Sequence, residues 1–197
     1  TGLAACALLP TGKRGIVRKR LLTQARFLMG RARATGGRLS AALVDENGEL
    51  DIEALDLAIE LLARDGDIEV RAGGGVSGAF DVKSGRPLDE IYTVPEERRP
   101  RLAYYRNNAI HLFVADGLVA LALLGAAKRG LVSVEELRQR TLKLSRLLKR
   151  EGSERGGEAV EAIFDSTLAG LEAAGLVGAA THGVHPEPGG TPRLALL

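Results

Sequence analysis

The chain has no tryptophan, and only three tyrosines, four phenylalanines and one cysteine in 197 residues. An interior so poor in rings must be filled by aliphatic side chains, and a hydrophobic content of 45% supplies enough of them for a mostly helical core. The one cysteine, Cys6, cannot close an internal disulfide; between Ala5 and Ala7 it reads as a small buried hydrophobe of a reducing compartment. Excess charge of one sign is lacking as well, and a net +2 gives no global argument for nucleic acid. The longest uncharged aliphatic run, 117–127, is about half of the ~20 residues that span a bilayer, so no transmembrane helix is expected. The chain opens Thr-Gly-Leu-Ala, with no initiator Met, basic n-region or cleavage site, and is expected to begin inside a larger protein.

What the chain does have is a duplicated unit. Residues 2–17, GLAACALLPTGKRGIV, align without a gap onto 117–132, GLVALALLGAAKRGLV. A second amphipathic stretch follows in each copy: 18–34 with Leu21, Leu22, Ala25, Leu28, Met29 and Ala32 on one face, and 134–150 with Leu137, Thr141, Leu144, Leu147 and Leu148. A third helix follows at 51–68, with Asp51 as N-cap, and at 161–177, Gly66 and Gly175 marking the stops. Short strands are expected at 68–71, 79–82 and 91–94 around GGGVSG, whereas the second copy offers only LVGAATHGV and RLALL. Three helices and a small hairpin is the winged-helix plan. The fold class is therefore mainly α with small β hairpins (α+β), in two tandem winged-helix-like units: 1–97, truncated at its N-terminal side, and 117–197, joined by a connecting helix within 98–116. Because only the second copy is preceded by such a helix, residues 1–9 are expected to leave an apolar surface that no part of this chain covers.

The most distinctive stretch is 98–124. Leu102, Tyr105, Ala109, Leu112 and Phe113 recur at helical spacing, and Asp116 before Gly117 reads as the N-cap of a second helix. Within it, PRLAYYRNNAIHLFVADGLVALAL resembles the segment just beyond the catalytic domain of the membrane-bound bacterial glycerol-3-phosphate acyltransferases, where a Tyr-Tyr-Arg-Asn-Asn-x-x-His-x-Phe string recurs. RLLKRE at 146–151 and EAIFDSTLAGLEAAGLV at 161–177 resemble that family's closing helices in the same order, so the resemblance covers roughly 1–178 and departs at Gly152 and in the Pro/Gly-rich tail.

The resemblance implies a non-catalytic C-terminal region of an enzyme that transfers a fatty acyl group from acyl-CoA or acyl-carrier protein to the sn-1 hydroxyl of glycerol 3-phosphate. Its implied partners are the upstream acyltransferase domain, docked through Tyr104, Tyr105, Arg106, Asn107, Asn108 and His111, and an anionic membrane surface. Its implied place is peripheral, on the cytoplasmic face of the bacterial inner membrane. His111 and Asp116 match the His-x-x-x-x-Asp signature of glycerolipid acyltransferases, in which the carboxylate orients the base. On a continuous helix a five-residue step turns by about 500°, leaving the two side chains ~140° apart. The family's catalytic His follows an apolar strand well upstream and is accompanied by a Phe-Pro-Glu-Gly-type phosphate motif, and neither occurs here. The pair is read as a decoy, with no catalytic residue in the chain.

The residues themselves point to one further surface. Between Arg18 and Arg38 there are seven cations and no acid, with Lys19, Arg26 and Arg33 seven residues apart. Such a face suits anionic lipid, and Arg18, Lys19, Arg26 and Arg33 are the candidate contacts, with Arg98, Arg99, Arg101 and Arg106 as an extension; neutralisation by the acidic third helix is the alternative. The winged-helix plan makes DNA binding a rival reading. However, 51–65 has five acids against one Arg and 158–173 has four acids and no base, so the groove-reading helices would be repelled. A free-standing adaptor that binds proteins remains the other alternative. AGGGVSGAF lacks the Gly-Lys-Ser/Thr of a phosphate loop, the two Lys-Arg-Gly triplets read as helix ends, and His182 with His185 has no third ligand nearby. No cofactor and no metal is expected.

Overall fold

A computed structural model of the chain describes residues 1–73, 79–82, 84–127, 131–150, 157–180 and 183–197. The chain falls into two units, Thr1–Leu112 and Phe113–Leu197, and the class is α+β: helices with small antiparallel sheets.

The first unit runs α1 (Gly2–Leu8), β1 (Ile16–Val17), α2 (Arg18–Ala34), α3 (Ile52–Arg64), β2 (Glu69–Arg71), β3 (Ile91–Thr93) and α4 (Arg99–Asn107). The six apolar positions expected on one face of α2 are all buried, so its periodicity translates directly into core. Asp51 caps α3 by accepting from the Ala54 N–H at 3.1 Å, and Gly66 ends it with φ of +71°. β3 is the middle strand: Ile16 pairs with Tyr92 on one side and Val70 pairs with Tyr92 on the other.

β1 was not anticipated, because two residues are too few to show a period. The expected strand at 79–82 does not pair with β2. Among the described residues Phe80 bridges only to Pro87, and the Asp81 N–H donates to the Arg86 carbonyl. The expected cation-capped end of the first helix is also displaced. α1 stops at Leu8, Lys13 and Arg14 are exposed in the connection to β1, and Gly15, at φ +72°, lies so close to β3 that a Cβ would sit 2.5 Å from the Tyr92 carbonyl oxygen.

The apolar surface of α1 is not open. Residues Leu3 to Leu9 are all buried, and α4 covers them together with α2 and α3. A Cβ on Gly2 would touch the Tyr105 carbonyl oxygen and the Ala109 side chain, which shows how closely the two helices approach. The helix expected to precede the second copy closes the first copy instead. That stretch is also not one helix: α4 ends at Asn107, a one-turn 3-10 helix follows at Ile110–Leu112, and a new helix begins at Val114.

The second unit runs α5 (Val114–Ala127), α6 (Val134–Arg150), α7 (Gly157–Ala173), β4 (Val177–Ala180), β5 (Gly183–Pro186) and α8 (Thr191–Leu194). Asp116 lies in the first turn of α5 and is not its cap. Gly175 ends α7 with φ of +64°, and β4 and β5 make the hairpin. RLALL does not form a strand, since Pro192 starts the short helix α8. Val132 bridges to Val184 as Ile16 does to Tyr92, so both units set a short strand between their first two helices against the hairpin.

The repeat slips by one residue at that strand. Ile16 is buried and Val17 exposed, but Leu131 is exposed and Val132 buried, because a one-residue shift exchanges the two faces. The gapless alignment sets Arg18 against Ser133, whereas the helix starts set it against Val134, and α2 and α6 are then both 17 residues long. On α6 Leu137 and Thr141 are buried as expected; Leu147 is exposed, and Leu142 and Ser145 are buried.

Candidate functional site

Four arginines flank or enter the Tyr-Tyr-Arg-Asn-Asn string, and two of them hold α4 in place. The Arg99 guanidinium donates to the carbonyls of Leu9, at 2.6 Å, and Thr11, at 3.3 Å, just past the end of α1 where a cation is favoured. Arg101 ion-pairs with Asp65 at 3.3 Å and with the fully buried Asp67 at 3.2 Å. These two were candidates for extending a lipid patch; both are occupied within the unit, although the Arg101 side chain stays 46% exposed. Arg106 donates to the Asn107 side chain, and Arg98 is exposed. Leu102 is the fully buried anchor of the helix.

The motif residues themselves face largely outward. Tyr104 is 68% exposed, Asn107, Asn108 and His111 are exposed, and Tyr105 and Arg106 are half-buried. The two tyrosine rings meet edge to face with centroids 6.0 Å apart. Apart from Leu102, then, the unusual string contributes little to the core of its own unit. His111 and Asp116 fall in different units: His111 sits on the exposed one-turn helix at Ile110–Leu112, whereas Asp116 is completely buried in the first turn of α5.

α2 separates the basic candidates. Lys19, Arg20, Arg26 and Arg33 are exposed and form no ion pair among the described residues. Three acids of α3 and its C-terminal end are engaged elsewhere, Asp56 by Arg18, Glu60 by Arg86 and Asp65 by Arg64 and Arg101, and Glu53 pairs with no cation of α2 among the described residues. They do not neutralise this face. Because the apolar side of α2 is the core of the unit, only its cations are available at the surface.

Arg18 does not belong to that face. It is 1% exposed and grips Asp56 through two bonds of 2.5 and 2.8 Å; it also donates to Ser84 Oγ at 2.9 Å and Tyr92 Oη at 3.3 Å, with Asp81 at 3.7 Å. The Tyr92 hydroxyl in turn donates to Glu90. Burial opposes the charge on Arg18, but its bonds to Asp56 and Tyr92 more than reverse this, so its pKa is raised. Burial and the bond to Glu90 push the Tyr92 phenol up to about 12. This network ties α2, α3, β3 and the segment 79–90 together. The sequence carried a signal for it: Asp56 shares the buried face of α3 with Ile52, Leu55, Ile59 and Leu62, and a charge on an apolar face calls for a partner.

Cys6 is buried beside α4, and its thiol is pushed up to about 11 by burial, with Arg106 acting weakly in the opposite direction. The turn at 74–78, Lys128-Arg129-Gly130 and His182 lie outside the described residues. The His185 ring nitrogen is 3.2 Å from the Pro186 carbonyl oxygen. Among the described residues no three His, Cys, Asp or Glu side chains are grouped as a metal site would need.

The fold thus defines a mainly helical chain of two related units, with an outward-facing Tyr/Asn string and an unneutralised basic helix. The chain belongs to the family described as the glycerol-3-phosphate acyltransferase C-terminal region, which it matches over residues 1–197. No match is found among curated proteins.

Proposed function

We propose that the chain is the non-catalytic C-terminal region of a bacterial glycerol-3-phosphate 1-O-acyltransferase that uses acyl-CoA or acyl-carrier protein, in the first step of phospholipid synthesis. Its two units are read as winged-helix-like, supported by the short strand that joins each hairpin from between the first two helices. They serve here as a scaffold that packs on an upstream acyltransferase domain through Tyr104, Asn107, Asn108 and His111, with Tyr105 and Arg106 at the edge. Lys19, Arg26 and Arg33 rest on the anionic cytoplasmic face of the inner membrane, each cation near the surface contributing about 1 kcal/mol. The described helices include none long and apolar enough to cross a membrane.

The observation that carries the docking role is the exposure of the motif, since a string this rich in polar and aromatic groups is left facing out of a unit already closed by Leu102. Replacing Tyr104 and Asn108 together by Ala tests it. The double variant should leave the melting temperature of this chain unchanged and lower both the stability and the activity of the complete polypeptide. Unchanged behaviour of the complete polypeptide removes the docking role. The lipid role has its own test, the triple variant Lys19→Glu, Arg26→Glu, Arg33→Glu, which should lose retention on anionic vesicles while keeping its fold.

A further inference from the structure

The segment 79–90 carries two exposed apolar side chains, Val82 at 100% and Phe80 at 57%, and Val82 is the most exposed large hydrophobe among the described residues of the first unit. Two exposed hydrophobes on a polar loop would be unremarkable on their own. The placement of the surrounding charges distinguishes this one. Every acid of the segment is turned inward or occupied, Asp81 against Arg18, Glu90 accepting from Tyr92, and Asp89 packed on Gly73. Arg86 is paired with Glu60 on α3. The root of the segment is fixed to the basic helix, because the Lys19 N–H donates to the Leu88 carbonyl at 3.0 Å and the Leu88 N–H to the Ala79 carbonyl at 3.0 Å, while the Arg18 side chain holds Ser84. Phe80 and Val82 therefore stand on a segment hydrogen-bonded to the backbone of Lys19 at the start of α2, where the charges of Lys19 and Arg20 have no partner among the described residues.

We infer that Phe80 and Val82 are an interfacial wedge that enters an anionic bilayer between headgroup and acyl chain, with the first turn of α2 holding the adjacent phosphates. Apolar tips on a segment bonded to the start of a basic helix and cleared of outward acids match such a surface in both chemistry and sign, and burial of the apolar tips adds to the attraction of the charges. The inference rests on the membrane role proposed for α2 and adds to it a loop and an insertion.

The absence of tryptophan makes the test direct. The full 197-residue chain carrying Val82→Trp is mixed with vesicles of phosphatidylethanolamine and phosphatidylglycerol in equal parts, with and without brominated acyl chains; Leu121→Trp, an exposed position in the other unit, is the comparison. The expected result is a blue shift and bromine quenching at position 82, with little at 121, and an about tenfold weaker vesicle affinity for Phe80→Ser with Val82→Ser. If the chain sediments with the vesicles but position 82 is not quenched, the wedge is overturned and the basic face stands alone. No sedimentation overturns both. A blue shift produced by the upstream polypeptide without lipid reassigns the tips to a protein partner and also overturns the wedge.

Discussion

Arg18 is the residue on which the first unit turns. A fully buried guanidinium is tolerated only while its partners stay, and truncating one partner of a buried pair costs about 3–5 kcal/mol. Asp56→Ala should therefore lower the unfolding free energy read from urea titration by that amount, and replacing both groups, Arg18→Met with Asp56→Leu, should cost less than Asp56→Ala alone. Equal losses would mean that Arg18 is held mainly by Ser84, Asp81 and Tyr92. Cys6 makes a second prediction at this scale. Its thiol is raised from 9.0 to about 11, so the folded state holds a proton that the unfolded chain has already lost in that range. The stability it contributes is fully present below about pH 9 and is lost as pH rises through about 11. Tyr92, raised from 10.0 to about 12, adds a slope of the same sign one step higher. Stability measured across this alkaline range should fall, and Cys6→Ala should flatten the lower part of the slope; an identical profile in the variant would contradict the buried thiol.

Among the elements, α4 carries the most consequence. It seals α1 through Leu102, so Leu102→Ala should cost about 2–5 kcal/mol and should also make Cys6 reactive to a thiol reagent in the folded chain. Destabilisation without thiol exposure would place the damage elsewhere. The comparison with the second unit sharpens the point: Leu121 occupies the repeat position of Cys6 yet is 58% exposed. The cover expected to be missing from the first copy is present there, and in the second copy Leu121 alone of the positions matching Leu3 to Leu8 is exposed.

Much of this level was legible in the sequence. The helix stops at Gly66 and Gly175, the cap at Asp51 and the buried stripe of α2 follow from local rules that act within one turn. What was not legible depends on partners far along the chain. β1 is two residues long, and its pairing with β3 lies in backbone bonds that no side-chain pattern reports. Arg18 looked like one more cation of a basic helix until the fold brought Asp56, 38 residues away, to it. The break after Asn107 was hidden because the apolar spacing continues across it, through Ala109, Leu112 and Phe113.

For the whole molecule, duplication explains both the economy and the asymmetry of the chain. One plan is used twice, a strand set between two helices and joined to a hairpin that follows the third, but only the first copy has its buried Arg18 network, since Val134 stands at the matching helix start in the second. The chain belongs over residues 1–197 to the C-terminal region family of glycerol-3-phosphate acyltransferase, and the proposal made for it is that the copies supply surfaces while the chemistry lies upstream. The most direct test is acyl transfer from acyl-CoA to labelled glycerol 3-phosphate, assayed in parallel on this chain and on the complete polypeptide reconstituted in lipid. The account predicts turnover by the complete polypeptide alone. Turnover by this chain, abolished by His111→Ala, would contradict it and make His111 the base of an active site.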